Sequence, residues 1–147
     1  MLRPLGHGDT LGICAPAGPV KQDLLESAVE RLRQFGFRVK LAQTVLGKHG
    51  FLSANDDVRA RELLDMFADS DVAAVISARG GVGTSRLLER LPTEIIAESG
   101  KPFLAFSDLT ALQWLLWARH RTVSFSGPLA VEFFNASLGH LFVTASK

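Results

Sequence analysis

Short apolar runs alternate with stretches whose apolar residues recur at helical spacing, and this alternation confines the chain to an α/β fold. Residues 11–15 read as a first strand, stopped by Pro16-Ala17-Gly18-Pro19. Leu24, Leu25, Ala28, Val29 and Leu32 then predict a helix over about 21–35, ended by Gly36. Residues 37–42 read as a second strand, 43–55 as a loop, and 56–67 as a helix capped by Asn55 or Asp56. A third strand is expected over 72–77, helices near 85–91 and 93–98, and a fourth strand over 103–106. The next helix takes its buried stripe from Leu109, Leu112, Leu115 and Leu116, which Trp114 and Trp117 are expected to widen. Residues 122–126 supply a fifth strand. Repeated strand-helix-strand crossovers predict an open, mainly parallel sheet with helices on both faces.

Two connections in this pattern carry chemistry. Ser107 stands where the fourth strand meets the following helix, with Asp108 directly after it. A serine on such a turn has its hydroxyl held clear of the sheet, near backbone N–H groups that can stabilise an oxyanion. The same residue types are also favoured helix caps. Upstream, Arg79-Gly80-Gly81-Val82-Gly83-Thr84-Ser85 joins the third strand to a helical pattern. Its glycines permit close backbone approach, and Thr84 or Ser85 can cap the next helix. Ligands of open parallel sheets gather beyond the carboxyl ends of the strands, so both turns can line one crevice.

Composition narrows the partners. Sixteen Lys and Arg against fifteen Asp and Glu leave a net charge of +1, interspersed and without a basic run, which argues against nucleic acid or a membrane surface. The 147 residues suffice for one core. The N-terminal residues lack a signal-peptide core, and the chain reads as cytoplasmic. Cys14, the single cysteine, has no internal disulfide partner and reads as a buried strand residue rather than a nucleophile. Gly80 to Ser85 lacks the lysine of a P-loop, so a phosphate or nucleotide site there is a third-ranked reading.

Five motifs in register resemble the N-terminal domain of the LD-carboxypeptidases, a family of serine peptidases. They are Gly12-Ile13-Cys14-Ala15-Pro16; Gly50-Phe51-Leu52-Ser53-Ala54 with Asp57, Arg59 and Ala60 behind it; Ala78-Arg79-Gly80-Gly81-Val82-Gly83; residues 102–110; and Ser126-Gly127-Pro128. The resemblance covers nearly the whole chain and implies a three-layer Rossmann- or flavodoxin-like domain over residues 1–130, with 131–147 a tail or the start of a linker. It implies Ser107 as nucleophile, the backbone N–H groups of Asp108 and Gly81 as the oxyanion hole, and Arg79, Gly80 and Ser53 as substrate-binding residues. The activity implied is removal of a terminal D-amino acid, commonly D-alanine, from a murein tetrapeptide during cell-wall recycling, with no metal or organic cofactor.

In such enzymes the glutamate and histidine that complete the triad lie in a C-terminal domain, which is expected as a partner. A homodimer is also possible. Of the four histidines His7, His49, His120 and His140, none matches the family's base, and His49 lies in the loop best able to face the site. Glu132 has no argument for the triad acid. Val82 stands where the family often has tyrosine. A serine hydroxyl without an adjacent base is a weak nucleophile, so the chain alone is expected to be inactive. The alternative is a non-catalytic peptide-binding module or a remnant of such an enzyme.

Overall fold

The structure, a computed structural model, describes residues 3–132. Five strands, β1 (Thr10–Cys14), β2 (Arg38–Leu41), β3 (Val72–Ser77), β4 (Phe103–Ala105) and β5 (Phe125–Ser126), form one sheet in the order β2-β1-β3-β4-β5. All four pairings are parallel. The helices are α1 (Gln22–Gln34), α2 (Asp56–Ala68), α3 (Thr93–Ser99) and α4 (Thr110–His120), each lying in a crossover. The chain moves one way along the sheet from β1 to β2 and the other way from β2 onward. Right-handed crossovers therefore set α1 on one face and α2, α3 and α4 on the other. This is the open α/β sheet that the alternation predicts.

Central strands are apolar because both faces are covered: β1 is buried at every residue, and β3 at all but Ala73. Leu25, Ala28, Val29 and Leu32 of α1 and Ala60, Leu63, Met66 and Phe67 of α2 fill the two layers against Leu11, Ile13, Val75 and Ile76. Phe67 meets Phe103 edge to face at 5.5 Å between ring centres, joining α2 to β4. Asn55 caps α2 by accepting from the Val58 N–H at 2.9 Å, which settles the choice between Asn55 and Asp56.

Three local expectations are corrected. The helix expected over 85–91 is a single 3-10 turn, Thr84–Leu87. Gly83, at φ +108°, breaks the backbone at its start, and Pro92 disfavours helical backbone at Leu91 and so closes the segment. The fifth strand is limited to Phe125–Ser126, because β4 is itself short and pairs only Leu104 with Phe125 and Ala105 with Ser126. Trp114 and Trp117 do not widen the buried stripe of α4: they are 66% and 43% exposed. Gln113 takes the inward position instead, donating to the Phe125 carbonyl at 2.8 Å.

A 3-10 turn, Ala130–Glu132, comes after β5 and packs on α1. Val131 N–H donates to the Ala78 carbonyl at 3.2 Å, so this turn closes over the end of β3. Of the expected tail, residues 133–147 lie outside the described residues.

Candidate active site

Strand order reverses between β1 and β3, and the connections leaving β1, β3 and β4 emerge side by side at the carboxyl edge of the sheet. A crevice at such a switch point is where open α/β sheets hold ligands. The connection after β1 carries Gly18, the one after β3 carries Gly80 to Gly83, and the one after β4 begins with Ser107.

Ser107 is exposed and has φ +62°, a left-handed conformation shared among non-glycine described residues only by Arg121. Phe106 before it is fully extended and Leu109 after it is buried, so the chain reverses sharply at the serine. The capping alternative does not hold, because the cap positions of the 3-10 turn and of α4 are Phe106 and Leu109. Left-handed backbone costs a residue with a Cβ about 1–2 kcal/mol, and such strain persists where the surroundings enforce it.

Gly80 lies directly beneath. A Cβ there would fall 3.0 Å from Ser107 Cβ and 3.2 Å from Ser107 Oγ, so glycine gives the serine room that a larger residue would crowd. Gly80 also accepts from the Gly18 N–H at 3.1 Å. A Cβ on Gly81 would come within 3.1 Å of Gly18 Cα, so the first and third connections touch backbone to backbone. Gly81 and Val82 between these anchors are placed at the crevice, Val82 with its side chain exposed.

At the far end of the turn, Gly83 adopts φ +108° and occupies the cap position in place of Thr84 or Ser85. The Thr84 N–H donates to Asp108 Oδ2 at 2.8 Å. Gly83's carbonyl accepts from Arg59 Nη1 at 3.2 Å, and the same nitrogen donates to the Pro16 carbonyl. Arg59 is buried, its Nη2 bonded to Asp56 Oδ1 at 2.6 Å. The Arg86 guanidinium also grips Asp56 and, with help from Arg59, holds its carboxyl below the usual carboxylate range against the opposing effect of burial. One cation from α2 thus ties the β1 connection to the β3 connection.

The arginine at this junction and the carboxylate of Asp108 were missing from the sequence-derived site. The spacing of Asp56 and Arg59 does signal a helical ion pair. Arg59's partners beyond it are carbonyls, however, and a carbonyl leaves no mark in a sequence.

The remaining expected residues take several different places. Ser53 is buried, its hydroxyl donating to the Ala15 carbonyl and its N–H donating to the Ala17 carbonyl at 3.1 Å. It braces the β1 connection from beneath, and its hydroxyl does not face the crevice. Arg79 is exposed and donates to the Pro19 carbonyl at 2.9 Å, so it borders the crevice with its charge near solvent. Exposed His49 forms a bridge with Leu52. His120 bonds Thr93 Oγ1 at 2.8 Å at the far end of α4, about 16 Å of helix away from Ser107. His7 sits against Gly36, before β2 begins, and so also at the opposite edge of the sheet. His140 lies outside the described residues. Glu132 accepts from the Leu129 N–H at 2.7 Å within its own turn.

Cys14 is buried at the end of β1, and burial, aided by the charge of Glu62, pushes its thiol up to about 12. It is unsuited to nucleophilic work at neutral pH. Among the described residues no cluster of His, Cys, Asp and Glu could hold a metal ion, and no helix is long and apolar enough to cross a membrane. An exposed hydroxyl on a strained turn, flanked by the N-terminus of a helix and a glycine turn, suits attack on a carbonyl. It suits phosphate less, since the Thr84 N–H that would greet an anion is already taken by a carboxylate.

Comparison with known proteins places the family and the fold. Residues 11–127 match the family described as the LD-carboxypeptidase N-terminal domain. The chain is 36% identical over 127 residues to a probable murein peptide carboxypeptidase of Bacillus subtilis, covering 86% of this chain and 40% of that protein. It is 30% identical over 135 residues to the microcin C7 self-immunity protein MccF of Escherichia coli, covering 89% of this chain and 39% of the relative. Among solved structures, a muramoyltetrapeptide carboxypeptidase from Oxalobacter formigenes superposes with a TM-score of 0.83 at 33% identity, over 94% of this chain and 48% of that one. The chain therefore spans less than half the length of these relatives.

Proposed function

The chain belongs to the LD-carboxypeptidase family, and from that membership we propose that Ser107 is the nucleophile of a serine carboxypeptidase whose remaining triad residues come from a C-terminal domain. The observation that carries this reading is the exposed, left-handed Ser107 seated over Gly80, where a Cβ would fall 3.0 Å from the serine. Ser107 Oγ attacks the scissile carbonyl and gives its proton to a histidine of that domain. The carbonyl oxygen becomes an oxyanion, received by the N–H groups of Asp108 and Gly81. Collapse expels the terminal amino acid as a free amine and leaves an acyl-serine, which water then hydrolyses.

The substrate in this reading is a peptide ending in a D-amino acid, of which murein tetrapeptide with terminal D-alanine is the leading member, and the setting is cytoplasmic cell-wall recycling. Arg79, exposed at the crevice rim, offers a guanidinium for the terminal carboxylate. His7 and His120 stand at the opposite edge of the sheet, and in this reading the base is a histidine of the C-terminal domain. That placement also favours a second reading, a module that binds such peptides without cutting them.

Release of D-alanine from the tetrapeptide decides between them. It should be measured for this chain, for Ser107→Ala, and for each mixed with the C-terminal domain of a complete homologue. Turnover only in the mixture containing Ser107 is expected. Saturable peptide binding that survives Ser107→Ala, with no turnover in any mixture, would establish the binding module instead.

A further inference from the structure

We infer that the carboxylate of Asp108 is a positioning group that holds the glycine turn in register with Ser107, an inference that rests on the reading of Ser107 as nucleophile. The proposed oxyanion hole draws one N–H from the residue after the serine and another from a loop that leaves a different strand. Two such donors stabilise the same oxygen only if the loops keep a fixed separation.

The peptide unit joining Gly83 to Thr84 is where that separation is set. Its carbonyl accepts from Arg59 Nη1 at 3.2 Å, and its N–H donates to Asp108 Oδ2 at 2.8 Å. A cation and an anion thus grip the two polar ends of one planar group, which fixes its orientation as neither could alone. At the other end of the turn, Gly80 is fixed by the Gly18 N–H and lies against Ser107. The span of Gly81 and Val82 is held on both sides, and one of the two clamps comes from the residue adjacent to the nucleophile. Asp108 therefore gives its backbone to one side of the hole and its side chain to setting the other side.

The test compares wild-type chain, Asp108→Ala and Asp108→Asn, since asparagine keeps an oxygen able to accept from Thr84. Amide hydrogen exchange is followed at Thr84 by NMR, with thermal denaturation as the check on folding. Asp108→Ala should exchange the Thr84 amide about tenfold faster or more, while amides in β1 and β3 keep their rates and Asp108→Asn restores most of the protection. Unchanged exchange in Asp108→Ala, or no rescue by asparagine in a folded variant, overturns the proposal.

D-alanine release in the mixture with a homologous C-terminal domain supplies the second readout. Asp108→Ala should lower kcat about 100-fold with little change in KM, and asparagine should recover most of it. If KM rises while kcat holds, the carboxylate acts on substrate binding and the proposal fails. If the wild-type mixture is itself silent, the carboxypeptidase reading fails, and the exchange result alone decides whether Asp108 sets the turn.

Discussion

The connections after β3 and after β4 face each other across the crevice, and both contain left-handed backbone, yet they hold it by different means. After β3 the positive φ values fall on Gly81 and Gly83, where the conformation carries no steric penalty. After β4 the positive φ falls on Ser107, where it does. The glycine turn is shaped by what it leaves out, since a Cβ at Gly80 would crowd the serine at 3.0 Å. The serine turn is shaped by what it must present. One turn is relaxed and pinned from outside by Arg59, Asp108 and Gly18; the other is strained and lies between buried Ala105 and buried Leu109.

Removing the external pin should have the largest effect. Arg59→Ala leaves Asp56 with only its surface partners and frees the carbonyls of Pro16 and Gly83, and should lower unfolding free energy in urea denaturation by about 1–3 kcal/mol for each carbonyl left without a donor. A loss well under that would mean that the glycine turn holds itself. Gly80→Ala attacks the contact between the turns. The new methyl group displaces Ser107, and a cost of about 1–2 kcal/mol is expected together with loss of turnover in the reconstituted mixture. Gly6→Ala, at a glycine with no neighbour within 4 Å, serves as the control and should change neither.

The third change relieves strain. Ser107→Gly should raise the urea midpoint, with a gain of about 0.5 kcal/mol left after the greater entropy of an unfolded glycine is subtracted from the left-handed penalty. If stability falls instead, the serine turn is not strained and the contrast between the two turns collapses. The smallest effect is in acid. Because Arg86 and Arg59 hold Asp56 below the usual carboxylate range, its contribution is complete above that range and is lost as pH falls through the folded-state value. Asp56→Asn should therefore flatten the decline in stability as the pH falls below the usual carboxylate range, monitored by circular dichroism.

The same contrast explains what could be read in advance. Periodicity reveals elements whose identity is fixed by burial, so β1, β3, α1 and α2 were legible from Leu11, Val75, Leu25 and Leu63 and their neighbours. The turn at Ser107 was legible as well, since a polar pair between an apolar strand and a helical stripe is a local pattern. The outward position of Trp114 and Trp117 was not, because it depends on Gln113 finding a carbonyl on β5. The short β5 depended in turn on the length of β4. The family resemblance put Ser53 among the substrate contacts, whereas its burial against Ala15 is set by the crossing of two connections 38 residues apart. Arg59 and the Asp108 carboxylate act on backbone groups brought near only by topology.

The order of the strands has a consequence for how the protein is made and degraded. The connections of the crevice leave β1, β3 and β4, strands that pair in parallel and are separated by whole crossovers. No hairpin or single helix contains even two of them, so no early local structure can resemble the finished crevice. Closing those long loops is slow compared with forming α1 or α2 alone. A nascent or partly unfolded chain accordingly exposes residues 79–83 and 107 as separate flexible peptides, open to proteases and unable to hold a ligand. Intact crevice geometry is thus a report on the whole sheet, and a ligand that binds it would protect the entire domain from cleavage.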